Sequence, residues 1–164
     1  MRGVFQNHLG LSIGRGNMAI RGDCNMNASW EHFEHQADIG VRGYGDTLEA
    51  AFEQAGLAMV AAMVPLERVG QPIRVVVHCE APDCELLFVD WLNSILREMS
   101  LRRMVFSRFS VSIQGERLTG ELWGEAMNNQ RHEPSVEVKA ATYYSLKVGR
   151  AAQGRWMAQC VVDV

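Results

Sequence analysis

The sequence holds no cysteine pair with the spacing of a structural zinc site. Its four cysteines, Cys24, Cys79, Cys84 and Cys160, include no CxxC pair among 164 residues. A structural zinc ion usually takes its ligands from such close pairs. We therefore expect free thiols in a reducing cytoplasm rather than a zinc-stabilised fold.

Long apolar runs are also missing. No stretch approaches the roughly 20 apolar residues that are needed to cross a bilayer. Residues 1–29 lack the sustained apolar segment of a signal peptide. The sequence therefore predicts a cytoplasmic protein with no membrane association.

An excess of positive charge is the third absence. Lys and Arg total 16 against 19 Asp and Glu, which gives a formal net charge of -3. A protein that binds nucleic acid on its own usually carries a basic face that neutralises phosphates. We therefore expect no stable direct nucleic-acid binding, although a local basic patch is compatible with this total.

Catalytic motifs are absent as well. Neither GxxxxGK[ST] nor GxGxxG occurs, so no phosphate-binding loop is visible, and neither HExxH nor GxSxG is present. We therefore expect a protein that is not an enzyme. A hydrophobic content of 48% with 21% charged residues is nevertheless typical of a folded domain.

The chain divides into two parts. Residues 1–29 are rich in Gly and Asn, show no strong periodicity and contain the internal methionines Met18 and Met26. We expect a poorly ordered N-terminal extension here, either a misassigned gene start or a disordered basic arm. The folded domain is predicted to span residues 30–164.

Periodicity within this domain predicts strands, then two helices separated by a strand, then a strand meander. The predicted strands are 30–35 and 39–44 (two paired strands or one bent strand), 73–79, 109–113, 117–125, 136–148 and 155–162. The predicted helices are 46–63, capped by Asp46 or Thr47, and 82–100, capped by Asp83. This order favours an α+β domain with two helices packed on one face of a mainly antiparallel sheet.

The first group of candidate site residues is His32, Glu34, His35 and Asp38. In a strand His32 and Glu34 share one face and His35 lies on the other, so a solvated edge strand is the simpler interpretation. Asp38 precedes an apolar strand, where a carboxylate is costly to bury unless it is paired or metal-bound. An ion pair with Arg42 is therefore the alternative to a metal.

The second group lies at the end of the sequence. Asp163 and the terminal carboxylate of Val164 are adjacent anions, which repel each other unless a cation lies between them. With Asp38 they would supply three oxygen ligands of the kind that calcium and magnesium prefer. A solvated, frayed terminus is the alternative. Lys139 is either a surface charge or, if buried, the counter-charge of a carboxylate cluster.

Four segments resemble one family in order along the chain. The segment 30–40 (WEHFEHQADIG) is similar to the archease motif, in which an aromatic-rich strand leads into EHTADIG. The segment 44–52 (YGDTLEAAF) resembles the start of that family's first helix, and 137–143 (EVKAATY) resembles its EVKAxTY segment. The ending 161–164 (VVDV) is similar to its terminal VxDI. The resemblance covers residues 30–164.

This resemblance implies a non-catalytic cofactor protein for an RtcB-type RNA ligase, which joins tRNA halves or other broken RNAs. Archease proteins promote guanylylation and multiple turnover of that ligase without joining RNA themselves. By the same resemblance the metal ligands are Asp38, Asp163 and Val164, with His35 and Lys139 as supporting groups. The implied cofactor is a divalent cation, calcium in the first place, with magnesium or manganese as alternatives.

Two residues depart from the family pattern. Gln36 stands where the family usually has Thr, and Tyr144 stands where it usually has His. Neither is an expected ligand, but both could alter the groups that orient the ligands.

Two other functions stay open on the sequence. One is a chaperone-like binding module for RNA-modification enzymes such as a methyltransferase. The other is a metal-dependent hydrolase that uses Asp38 and His35, which the missing nucleophile and phosphate-binding loop disfavour.

Overall fold

Eight strands and three α-helices lie within residues 27–164, the part of the chain that the computed structural model describes. The strands are β1 (Ser29–His35), β2 (Asp38–Gly45), β3 (Ile73–Glu80), β4 (Met104–Gln114), β5 (Arg117–Ala126), β6 (Ala140–Ala141), β7 (Lys147–Arg150) and β8 (Trp156–Asp163). The helices are α1 (Leu48–Met63), α2 (Cys84–Arg102) and the short α3 (Asn129–His132). The predicted disorder of residues 1–29 falls mostly outside this part, and Ser29 already belongs to β1.

All strand pairs are antiparallel, and hydrogen bonding divides the strands into two sheets. One sheet has the order β1-β2-β8-β6, with β7 also paired to β8, and the other has the order β3-β5-β4. The predicted α+β class with a mainly antiparallel sheet is confirmed. The division into two sheets was not predicted, because the strand patterns say which residues face a core but not which strands pair.

Helix α1 lies close against β2 and also contacts β4 and β8. Thr47 caps it by accepting a hydrogen bond from the Ala50 amide at 3.0 Å. The alternative cap, Asp46, instead accepts from Asn27 Nδ2 at 2.7 Å. A Cβ atom at Gly43 of β2 would lie 2.2 Å from the carbonyl oxygen of Ala51, so glycine permits this close packing.

Helix α2 begins as predicted, since the Asp83 side chain accepts from the Leu86 amide at 2.9 Å. Its central residue Trp91 is fully buried and donates from Nε1 to the carbonyl of Phe52 at 2.9 Å. This bond joins α2 to α1 inside the core. Among residues 27–164, no helix is both long enough and apolar enough to cross a membrane.

The predicted strand 136–148 is wrong. Only Ala140–Ala141 and Lys147–Arg150 are regular strands, and a turn separates them. The irregularity is centred on one residue of β8: Thr142 donates to the carbonyl of Val161, and Val161 donates to the carbonyl of Tyr144. Three residues, 142–144, therefore lie opposite one residue of β8, as in an enlarged β-bulge. Ser145 follows with a φ of 53°, which ends the extended run.

Candidate metal site at one end of the five-stranded sheet

The β1–β2 hairpin brings His35 and Asp38 together. Its register pairs these two residues directly, across a two-residue turn formed by Gln36 and Ala37. Gln36 adopts a φ of 53°, the left-handed conformation that such tight turns require. Directly opposite residues in an antiparallel pair share a face, so both side chains project from the same face of the sheet.

The pairing of β2 with β8 brings Asp38 next to the last residues of the sequence. Ile39 pairs with Val162, so the next step along the ladder places Asp38 across from Asp163. The Val164 amide donates to Asp38 Oδ1 at 3.4 Å. The three residues singled out as ligands therefore meet in space, although the two aspartates are 125 positions apart in the sequence.

These groups lie on the face of the sheet that points away from α1. The opposite face carries the buried residues Val41, Ala158 and Cys160, which belong to the core. Asp38 is half-buried and Asp163 is exposed, so the site is open to solvent on one side. Burial raises the pKa of the Cys160 thiol to about 12, so this cysteine stays protonated within the core.

Lys139 lies beside the site through its backbone. Its amide donates to the main-chain carbonyl of Asp163 at 2.8 Å, while its side chain is exposed. Within residues 27–164, no carboxylate lies within 4.0 Å of its ammonium group. Lys139 is therefore not a buried counter-charge, and its ammonium group pairs with neither aspartate.

His35 is half-buried, and its ring lies 6.1 Å from the ring of Tyr144, centroid to centroid. Its Nδ1 atom is buried without a hydrogen-bond partner among the described residues. Tyr144 and Gln36, the two departures from the family pattern, therefore both lie next to His35. The family resemblance gives His35 as a supporting group rather than a ligand.

The alternative ion pair between Asp38 and Arg42 does not form. Arg42 instead donates from Nη1 to Glu31 at 2.6 Å and from Nε to Gln159 at 2.7 Å. This polar chain lies across β1, β2 and β8, on the same sheet face as Asp38. Arg42 therefore stabilises the pairing of these strands and leaves the Asp38 carboxylate available.

His32 and Glu34 do not join the site. His32 Nε2 donates to the carbonyl of Ala58 in α1 at 2.7 Å, and Glu34 is exposed. Both alternate with His35 along β1 and lie on the other side of the sheet. Of the four polar residues of this segment, the structure gathers only His35 and Asp38.

Asn93 is a positioning residue that the sequence did not reveal. Its side chain accepts from the Ala141 amide at 2.9 Å and donates to the Ala141 carbonyl at 3.2 Å. The side-chain amide of Asn93 on α2 thus makes the two hydrogen bonds that a neighbouring strand would make to Ala141. It thereby holds β6, in which Ala140 pairs with Asp163. The available signal was a polar residue within the wide apolar face of α2.

The donor set suits a hard cation. Two aspartate carboxylates and the main-chain oxygen of Val164 offer oxygen atoms only, which calcium, magnesium and manganese prefer to thiolate or imidazole. In the described part of the chain, no three side chains of His, Cys, Asp or Glu gather as a metal cluster. A third oxygen donor beside the two aspartates would therefore have to come from the main chain of Val164.

Comparison with known proteins places the chain in a family. The model of the archease protein family (MTH1598/TM1083) matches residues 30–164. The archeases of Pyrococcus furiosus and Thermococcus kodakarensis are 41% and 42% identical to this chain over 139 residues, which cover 82% of this chain and 98% of each relative.

Solved structures agree with this assignment. The solution structure of Methanobacterium thermoautotrophicum protein 1598 matches with a TM-score of 0.69 and 33% identity, covering 82% of this chain and 98% of that one. The crystal structure of a Thermotoga maritima archease, described as a possible chaperone, has the same fold at 21% identity, with a TM-score of 0.54 over 80% of this chain and 94% of that one. This chain belongs to the archease family.

Proposed function

We propose that this protein is a non-catalytic, metal-binding activator of an RtcB-type RNA ligase, which promotes guanylylation and multiple turnover of that enzyme. The observation that carries the proposal is the pairing of β2 with β8, which sets Asp38 across from Asp163 beside Val164. Membership of the archease family supports the choice of partner.

The electrostatics of the site favour a bound cation. Asp38 and Asp163 are like charges on adjacent strands, and like charges directly opposite destabilise a sheet. Among residues 27–164, no Lys or Arg side chain lies within 4.0 Å of either carboxylate. A divalent cation, calcium in the first place, would replace this repulsion with attraction to both carboxylates.

The surroundings of the site suit a docking protein. Tyr143 and Tyr144 are 67% and 68% exposed on the turn that follows β6. Tyrosines are enriched at protein interfaces because they combine a large apolar surface with a polar tip. A cation held beside them would supply positive charge to the phosphates of GTP in the ligase.

Transfer of labelled GMP to the ligase tests the proposal directly. We expect Asp38→Asn and Asp163→Asn each to reduce the acceleration of guanylylation at least about tenfold, as loss of a charged ligand would. Glu34→Gln is the matched control, since it removes the same charge from an exposed residue on the other side of β1. Full acceleration by both aspartate variants would exclude the site from activation.

Calorimetric titration with Ca²⁺, in the absence of the ligase, tests metal binding separately from activation of the ligase. The unmodified protein and Glu34→Gln should bind the ion, and Asp38→Asn should bind it at least about tenfold more weakly. Ca²⁺ binding without any effect on the ligase would refute the choice of partner. Co-purification of a methyltransferase instead of the ligase would then favour the binding-module alternative.

A further inference from the structure

Strand β3 is an open edge of the three-stranded sheet, because β5 is its only partner strand in the described part of the chain. A hydrogen bond just beyond the C-terminal end of β3 shows which of its residues bond to β5. The Ala81 amide donates to the carbonyl of Glu116 in the continuation of the β3–β5 ladder, at 3.0 Å. Antiparallel ladders alternate between residues that bond to the partner strand and residues that point away from it. The residues whose backbone points away from β5 are therefore Arg74, Val76, His78 and Glu80.

The hydrogen bonds of β4, on the other side of β5, give the same alternation of inward-pointing and outward-pointing residues along β3. The Val111 amide on β4 donates to the Glu53 side chain, not to β5, at 2.9 Å. Val111 is paired with Gly120, so the backbone of Gly120 points toward its other partner, Val77. Val77 is therefore bonded to β5, and Val76 and His78 point outward. Among residues 27–164, the outward backbone groups of β3 make no hydrogen bond to another backbone group.

The four outward-pointing residues are also exposed. Their side chains lie on the solvent face of the sheet, while the alternate residues Val75 and Val77 are buried. Val76 is 40% exposed, which is high for a valine in a strand. An eight-residue edge strand with free backbone groups is a template for another strand.

Symmetry limits how a second copy can pair with this edge. A two-fold axis perpendicular to the sheet matches exposed residues with exposed residues. When the axis passes through Val77, Arg74 lies opposite Glu80 of the second copy, and Val76 lies opposite its His78. Four outward residues on each strand then exchange about eight backbone hydrogen bonds. If the register between the two β3 strands shifts by two residues in one direction, Arg74 lies opposite His78 of the second copy. If it shifts by two residues in the other direction, Arg74 lies beyond the end of the second copy's β3 and has no residue of that strand opposite it.

The charges favour the register centred on Val77. Arg74 donates to Glu121 at 2.8 Å, and Arg117 lies 3.8 Å from Glu80, so both β3 charges have intrachain partners. The side chains of Arg74 and Glu80 remain 53% and 65% exposed. In the dimer the order across the junction becomes Glu121, Arg74, then Glu80 and Arg117 of the second copy. Opposite charges therefore alternate through it.

We propose that this protein forms a two-fold dimer in which β3 pairs with β3 of a second copy, producing one continuous six-stranded antiparallel sheet. The proposal rests on the edge geometry and is independent of the metal site and the ligase.

Sedimentation velocity of the full chain over a wide concentration range tests it. The unmodified protein should show a monomer–dimer equilibrium. Glu80→Arg leaves two cationic positions on the edge and Arg74→Glu leaves two anionic ones, so each variant alone should dimerise at least about tenfold more weakly. An equimolar mixture of the two variants should recover the dimer, since every facing pair is again of opposite sign. Glu116→Arg, the same charge change in the adjacent exposed turn, should behave as the unmodified protein does.

Amide hydrogen exchange gives a second readout that needs no variant. The amides of Arg74, Val76, His78 and Glu80 should become protected as the protein concentration rises. Those of Val75 and Val77, already bonded to β5, should not change. A monomer at every concentration, a dimer unaffected by both charge variants, or no recovery on mixing would each overturn the proposal.

Discussion

Glu53 makes the stability of this protein depend on pH in a predictable direction. This residue lies on α1, is half-buried, and accepts a hydrogen bond from the Val111 amide at 2.9 Å. Burial raises its pKa from the ordinary 4.5 to about 7, and the negative charge of Glu49 contributes in the same direction. The folded protein therefore holds a proton that the unfolded chain releases at lower pH.

The sign of the effect follows from proton linkage. A group whose pKa is raised by folding contributes its full stability below its unfolded pKa, and that contribution is lost as pH rises through its folded pKa. For Glu53 this window extends from about 4.5 to about 7. At about 1.4 kcal/mol per pKa unit, the difference amounts to about 3 kcal/mol of lost stability above pH 7.

Glu53→Gln removes the charge and keeps an oxygen that accepts from Val111. We expect the free energy of unfolding, measured in urea, to be nearly unchanged at pH 4. At pH 8 the variant should be more stable by up to about 3 kcal/mol. Glu34→Gln, at an exposed position, is the control and should leave the pH profile unchanged. Parallel profiles for Glu53→Gln and the unmodified protein between pH 4 and 8 would refute the reasoning.

Three further predictions concern the packing and the metal site. Gly43→Ala should destabilise the fold by at least about 2 kcal/mol in thermal unfolding, because the new methyl group meets the backbone of α1; an unchanged melting temperature would contradict this. His132 is fully buried and donates to Glu125 at 2.8 Å, so His132→Ala should lower the free energy of unfolding in urea by about 2–4 kcal/mol. Ca²⁺ at about 100 times its Kd should raise the free energy of unfolding by about 2.7 kcal/mol, and Asp38→Asn, which binds at least about tenfold more weakly, should lose at least about 1.3 kcal/mol of this gain at the same Ca²⁺ concentration. An equal gain in both proteins would place the ion elsewhere.

Local rules predicted the elements whose signals are local. Asp83 caps α2 as its position before an apolar helical face indicated, because a cap depends on bonds within one turn. The first helix was placed correctly to within two residues, and Thr47 was one of its two proposed caps. The hairpin between β1 and β2 was one of two readings of residues 30–44, and the sequence alone could not choose between them.

The alternation of apolar and polar residues gave a wrong prediction where contacts with neighbouring elements interrupt a strand. The pattern of residues 136–148 fits one long strand, but the bulge opposite Val161 and the bonds from Asn93 leave only two residues of β6. A periodic pattern reports which side chains are buried. It does not report whether the backbone bonds are made by a strand or by a side chain.

The sequence by itself determined the α+β class, the main helices, the family and the residues worth testing. The tertiary structure alone decided that Asp38 lies across from Asp163, that Arg42 pairs with Glu31 rather than Asp38, and that β3 is left at an open edge. The physical reason is that a strand's side-chain pattern has a period of two and is the same for any partner. Pairing and register between distant segments are fixed only when the whole core packs.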